Sequence, residues 1–307
     1  MPSALFGALS LNAAQASLPK TKIPALLYGT AWKKAETAVL VCEALKAGFT
    51  GIDVAAQPKH YREDLVGKAV REVLEEGKIN REDLYVQTKF TSVNGQNRDN
   101  MPYDPRSSIS DQVRTSISSS LNQLRHSQSS DSSYIDSLVL HSPLPSMAQT
   151  LEAWQTLEEF VPDKIHNLGI SNTSLSVLEA LYDAVKIKPA VVQNRFHPQT
   201  GFDVPLREFC RDRGIIYQSF WTLTANPRLL RCLPVQILAE SAGVEKEVAL
   251  YCLVLGLENT VVLDGTTNAN RMGGDLAGLE RVREWASSDA YEWENQMKQF
   301  KSVIGEA

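Results

Sequence analysis

Eight short runs rich in Val, Ile and Leu recur along this chain, and each is followed by a stretch whose apolar residues fall at helical spacing. The runs cover residues 25–30, 51–55, 84–90, 137–141, 165–170, 190–196, 215–220 and 260–263. Apolar runs without polar alternation are the mark of strands covered on both faces. The periodic stretches predict helices over 36–47, 61–76, 108–124, 147–160, 174–185, 205–213, 233–257 (broken at Gly243) and 268–285, with Ser174 a candidate N-cap. No hairpin signal interrupts the array, so the strands are expected to be parallel and the crossovers right-handed. Eight such units close into a (β/α)8 barrel, an α/β fold. An open, doubly wound sheet is the rival. It would bind a dinucleotide through G-x-G-x-x-G after its first strand, whereas the first run here ends Tyr28-Gly29-Thr30-Ala31-Trp32.

A chain of 307 residues has room for one large barrel. The expectation is therefore a single barrel domain over 1–307, with 1–22 as an N-terminal extension and 286–307 carrying a C-terminal amphipathic helix (290–303) outside the repeat. The Ser-rich run 126–133 reads as a surface insertion and not a domain linker. The formal net charge is -5 and the Lys and Arg are scattered, which argues against a nucleic-acid or anionic-lipid partner. No segment is long and apolar enough to span a membrane. Residues 4–16 are mildly apolar and end in Ala-Gln-Ala, but the basic leader of a secretory signal is missing. Cys42, Cys210, Cys232 and Cys252 include no C-x-x-C pair, so neither a zinc knuckle nor a redox motif is expected, and a reducing, cytoplasmic compartment is the default.

Barrel enzymes build their sites at the C-terminal ends of the strands. Those ends carry Asp53 (second strand), Lys89 (third), His141 (fourth), Ser171-Asn172 (fifth), Gln193-Asn194 (sixth) and Gln218, Ser219 and Trp221 (seventh). Each has an ordinary explanation by itself: a solvated lysine, a helix-capping aspartate, a hydrogen-bonded structural histidine, a serine and asparagine that open a helix. Three ionisable groups on adjacent strands are another matter. They converge in one mouth, where burial is costly unless they pair, and such clusters are commonly functional.

Five segments carry a family resemblance: Gly48-Phe49-Thr50-Gly51-Ile52-Asp53, Gln87-Thr88-Lys89, Leu140-His141-Ser142-Pro143, Leu168-Gly169-Ile170-Ser171-Asn172 and Val192-Gln193-Asn194-Arg195-Phe196-His197-Pro198. In this order and strand context the chain resembles the aldo-keto reductases, NAD(P)H-dependent carbonyl reductases on a (β/α)8 barrel. The resemblance implies a catalytic group of Asp53, Tyr61, Lys89 and His141. Tyr61 would protonate the carbonyl oxygen, Lys89 would lower the phenol's pKa, Asp53 would hold Lys89, and His141 would orient the carbonyl. It implies cofactor contacts from Thr30, Asp53, Ser171, Asn172, Gln193, Ser219, Phe220, Trp221, Thr266 and Arg271. Substrate contacts would come from Trp32, Tyr61 and His141, and no metal is implied.

Three departures stand out. Pro58 occupies the place where the family pattern has its tyrosine, and Tyr61 comes three residues later, with His60 as a competing donor. Gln218 stands where an aromatic would stack on nicotinamide, leaving Phe220 or Trp221 for that task. Asp264 lies at or near the place of a lysine that binds the adenosine 2′-phosphate. An acid there leans toward NAD(H), whereas family habit and Arg271 lean toward NADP(H). The reading is a reductase of a small-molecule aldehyde or ketone. The alternatives are a barrel that binds NADP as a sensor or regulatory subunit, and a non-redox cyclase or dehydratase using the same residues.

Overall fold

The computed structural model describes residues 5–11, 21–127 and 132–306. The run of residues 4–16 and the Ser-rich run therefore lie partly outside the described residues, at 4, 12–16 and 128–131. Ten strands are present among the described residues. A two-stranded antiparallel ribbon, β1 (Leu9–Ser10) and β2 (Lys22–Ile23), precedes the barrel. Eight parallel strands follow: β3 (Leu26–Gly29), β4 (Gly51–Asp53), β5 (Tyr85–Phe90), β6 (Ile135–Leu140), β7 (Ile165–Ser171), β8 (Val191–Arg195), β9 (Ile216–Phe220) and β10 (Thr260–Asp264). They hydrogen-bond in chain order, and β10 closes onto β3. The (β/α)8 barrel is thus the observed fold. The ribbon was not legible as strand, because two residues per strand give no periodicity to read.

The outer ring contains α1 (Thr37–Ala47), α2 (Glu63–Glu75), α3 (Ile109–Gln123), α4 (Met147–Glu158), α5 (Leu175–Ala184), α6 (Val204–Asp212), α7 (Leu233–Ala242), α8 (Lys246–Leu255), α9 (Ala269–Ser288) and α10 (Ala290–Val303). Local chemistry sets several ends. The Ser108, Ser146 and Ser174 hydroxyls accept from backbone amides in the first turns of α3, α4 and α5. Gly243, at φ 63°, ends α7 in a left-handed conformation and splits the long helical pattern in two. No helix among the described residues is long and apolar enough to cross a membrane.

Alternation along the strands sorts the barrel interior into two layers. The lower layer is apolar: Leu27, Tyr85, Val139, Val191, Ile216 and Val261 pack with Leu11 and Ile23 from the ribbon segment, which closes the barrel floor. One step along the strands the interior turns polar, with Asp53, Gln87, Lys89, Gln193 and Gln218 all buried. The change of layer puts Asp53 and Lys89 toward the C-terminal end. Gly169 on β7 lets neighbouring strands close together; a Cβ there would lie 2.3 Å from Val191 Cγ2 and 2.8 Å from the Val191 carbonyl oxygen. Gly169→Ala is expected to cost about 1–3 kcal/mol through overpacking. The check is a lower urea midpoint at an unchanged slope.

Candidate active site

The site rests on a buried ion pair. Lys89 Nζ donates to Asp53 Oδ2 at 2.6 Å and to the Val54 carbonyl at 2.9 Å, with both side chains at most 2% exposed. Burial would favour neutral forms of both groups, and this pair is compensated from below. Asp53 Oδ1 accepts from Gln87 Nε2 at 2.7 Å and from Gln193 Nε2 at 2.9 Å. Both amides also donate to Gln218 Oε1, Gln218 Nε2 donates back to Gln87 Oε1, and Tyr85 Oη donates to the same Gln87 oxygen. Strands β4, β5, β8 and β9 are tied across the barrel by this one amide layer. Burial still pushes the Lys89 ammonium below its ordinary pKa, against the opposing pull of Asp53 and Glu63.

Tyr61 and His141 stand above the pair. Lys89 Nζ lies 5.1 Å from the Tyr61 ring centroid, and the Tyr61 and His141 rings meet edge to face at 6.2 Å. The lengthened loop delivers Tyr61 through a local turn, in which the His60 and Tyr61 amides both donate to the Gln57 carbonyl. Two glutamines clasp that turn to the loop after β5. Gln57 Nε2 donates to the Gly95 carbonyl at 2.6 Å, and Gln96 Nε2 donates to the Ala56 carbonyl at 2.7 Å. His60 lies against Trp32, with ring centroids 3.6 Å apart. Trp32 itself is exposed at the rim with φ 66°.

Electrostatics departs from expectation at the tyrosine. Burial pushes the Tyr61 phenol above its ordinary pKa, and the Asp53 carboxylate adds to the rise. Lys89, paired with Asp53 at 2.6 Å, does not offset that rise. The His141 imidazole goes the opposite way, held down at about 3 by burial and by the Lys89 and His60 charges, so it is neutral at ordinary pH. Its Nδ1 lies 2.6 Å from Thr91 Oγ1. Glu63, at the start of α2, accepts from Thr88 Oγ1 at 2.6 Å, and burial raises its carboxyl to about 7.

Several residues expected to meet a cofactor are engaged with the protein. Thr30 Oγ1 donates to the Asp53 carbonyl, Ser171 Oγ to the Gln193 carbonyl, and the Ser219 hydroxyl pairs with Thr222. Gln193 is turned into the amide layer, where Asp53 and Gln218 offer it two buried acceptors. Asn172, at φ 51°, donates to the His141 carbonyl and to Ser171 Oγ. Phe220 is partly buried, whereas Trp221 is half-exposed with the Arg195 guanidinium 4.4 Å from its ring.

Asp264, expected at or near the place of a phosphate-binding lysine, is turned inward. It is buried and accepts from the Thr266 amide at 2.9 Å; burial, with the Asp264 charge adding to it, raises the neighbouring Asp275 to about 8. Thr266 is partly buried and Arg271 exposed in the stretch that follows. Lys33, which the sequence reading passed over, reaches that stretch, donating to the carbonyls of Gly265 at 2.9 Å and Thr266 at 3.5 Å. Its signal was only its place beside Trp32 after the first strand. Gln87 and Gln218 were visible as strand residues, but their partners across the barrel were not.

The sequence model of the Aldo/keto reductase family matches residues 25–229. An NAD/NADP-dependent indole-3-acetaldehyde reductase of Schizosaccharomyces pombe is 31% identical over 218 residues, 67% of this chain and 67% of its own length. A D/L-glyceraldehyde reductase of Hypocrea jecorina is 26% identical over 235 residues, 69% of this chain and 64% of its own length. The chain thus spans about two thirds of these curated relatives. Among solved structures, an aldo-keto reductase of Bombyx mori in complex with NADP superposes with a TM-score of 0.70 at 21% identity, covering 91% of this chain and 92% of that one.

Removing one member of the ion pair leaves the other charge buried. Lys89→Met is expected to destabilise by about 3–5 kcal/mol, read from urea unfolding. Asp53→Asn in the same chain is expected to return part of that loss in a double-mutant cycle; strictly additive effects would show that the two groups are not coupled.

Proposed function

The chain belongs to the aldo/keto reductase family, and on that premise we propose that it is an NAD(P)H-dependent reductase of small-molecule aldehydes or ketones. One observation carries the reading: a neutral imidazole and a protonated phenol stand together above a buried lysine–aspartate pair at the C-terminal mouth of the barrel. We assign the catalytic roles to Tyr61, Lys89, Asp53 and His141. Trp32, Tyr61 and His141 line the space for the carbonyl substrate.

The donor set suits a nicotinamide dinucleotide. Ser171 and Asn172 offer a hydroxyl and an amide for a carboxamide that both donates and accepts. Trp221, steadied by Arg195, offers an aromatic face. Lys33 and Arg271 bring two cations to the stretch after β10, where phosphates would be held. With Asp264 turned inward, no acid faces a 2′-phosphate from that position. The named relative and the NADP-bound structural neighbour support NADP(H) first, with NAD(H) also admitted.

The reduced nicotinamide supplies hydride to the carbonyl carbon when bound. Tyr61 gives its phenolic proton to the carbonyl oxygen as negative charge gathers there. Its raised pKa keeps the phenol protonated across the working range. Lys89 stabilises the phenolate left behind, and Asp53 with the amide layer fixes Lys89 in place. His141 supplies a neutral N–H to the same oxygen. The four cysteines are unpaired, which supports a reducing, cytoplasmic setting.

Loss of reduced-nicotinamide absorbance with a panel of aldehydes and ketones tests the activity. Tyr61→Phe and Lys89→Met are each expected to lower kcat on the order of 10²–10⁴-fold while cofactor still quenches tryptophan fluorescence. Activity that survives Tyr61→Phe would remove the phenol from the mechanism. A second expectation concerns pH. Burial lowers Lys33 to about 8, so it is charged below that pH and loses its attraction for phosphate above it. Cofactor Kd is expected to rise as pH passes upward through 8, and Lys33→Met to flatten that rise.

A further inference from the structure

Thr91 immediately follows β5, and the residue is held at three points, two on its side chain and one on its backbone. Its hydroxyl lies 2.6 Å from His141 Nδ1. Its carbonyl accepts from Tyr103 Oη at 2.6 Å and from Gln96 Nε2 at 3.2 Å. Its methyl packs over Gly95, where an added Cβ would come within 2.6 Å of Thr91 Cγ2. The residue is only 3% exposed. Methyl and carbonyl are thus both held, and rotation about χ1 that would take the hydroxyl off His141 is opposed by packing.

A neutral imidazole carries one N–H, and its place depends on what the other nitrogen meets. Two arrangements satisfy the short Thr91–His141 contact. If Nδ1 carries the proton, the Thr91 oxygen accepts it, and the Thr91 hydroxyl hydrogen is left buried; among the described residues that hydroxyl has no second hydrogen-bond partner. An unmet buried donor costs about 1–3 kcal/mol. Nε2 would then present a lone pair, which repels a carbonyl oxygen gaining negative charge. If Thr91 donates to Nδ1, its hydrogen is used and the imidazole proton stands on Nε2. Among the described residues Nε2 has no hydrogen bond to protein, so it is free to donate to a substrate oxygen.

We propose that Thr91 is a positioning residue that fixes His141 as the Nε2–H tautomer and so aims a hydrogen-bond donor at the carbonyl oxygen. The proposal rests on the reductase reading for its catalytic consequence, though the tautomer itself is a property of the free protein. The neutral state of His141 at working pH makes the choice of tautomer, and not protonation, the variable that Thr91 controls. The Gln57 and Gln96 clasp then has a second role. Gln96 holds the Thr91 carbonyl as well as the Tyr61 loop, so the placement of donor and acid is linked through one side chain.

The test uses the full chain with ¹⁵N-labelled histidine, of which there are five. Wild type and Thr91→Ser are expected to show the shift of an unprotonated ring nitrogen on Nδ1 of His141 and a protonated one on Nε2. Thr91→Val, which keeps the shape and removes the hydroxyl, is expected to mix or reverse the two. With saturating cofactor, Thr91→Val is expected to lower kcat on the order of 10–100-fold with KM changed far less, and Thr91→Ser to stay within a few-fold of wild type. Gly95→Ala leaves every polar atom in place but displaces the Thr91 methyl; a smaller shift in the same direction is expected, and it serves if the valine variant does not fold. A wild-type His141 protonated on Nδ1, or an unchanged tautomer in both Thr91→Val and Gly95→Ala, overturns the proposal. Absence of carbonyl turnover by wild type would sink the reductase reading instead, and the tautomer measurement would still decide the role of Thr91.

Discussion

The Asp53–Lys89 ion pair is the constraint around which the rest of the mouth is arranged. Two charges in a barrel interior are tolerable only when each lone pair and each proton near them is used. Three glutamines meet that demand. Gln87 and Gln193 satisfy Asp53 from below, and Gln218 satisfies both glutamines. Gln218 is the residue at which an aromatic was expected. Its substitution of an amide for a ring is coherent here: it completes the layer under the pair and leaves the aromatic face at the mouth to Trp221.

The pair also dictates the electrostatics above it. Burial, with the Asp53 carboxylate, outweighs the paired lysine at Tyr61 and keeps the proton on the phenol. The same lysine, with burial, keeps a proton off His141. The site therefore holds a protonated phenol and a neutral imidazole side by side over the ordinary pH range.

The loops show how a local irregularity was absorbed. Three extra residues between Asp53 and Tyr61 would be expected to spoil the placement of the tyrosine. The turn at Gln57 takes up the added length, and the reciprocal bonds of Gln57 and Gln96 anchor it to the loop after β5. His60, the competing donor, is drawn out to the rim by Trp32. The positions of these two adjacent side chains are thus set by a stacking contact and two amide bonds between segments some forty residues apart in sequence.

By itself the sequence determined the barrel, since eight doubly buried strands alternating with amphipathic helices leave few other ways to hide their apolar surface. It also determined which strand ends carry Asp53, Lys89 and His141, because side-chain direction alternates along a strand and the register follows from the apolar pattern. What it could not determine were contacts whose energy depends on a partner far along the chain. The inward turn of Gln193, the reach of Lys33 to the residues after β10 and the contact of Thr91 with His141 are of that kind. Each depends on which donors and acceptors strand pairing brings within bonding distance: β5 beside β6 for Thr91, and β10 closing onto β3 for Lys33.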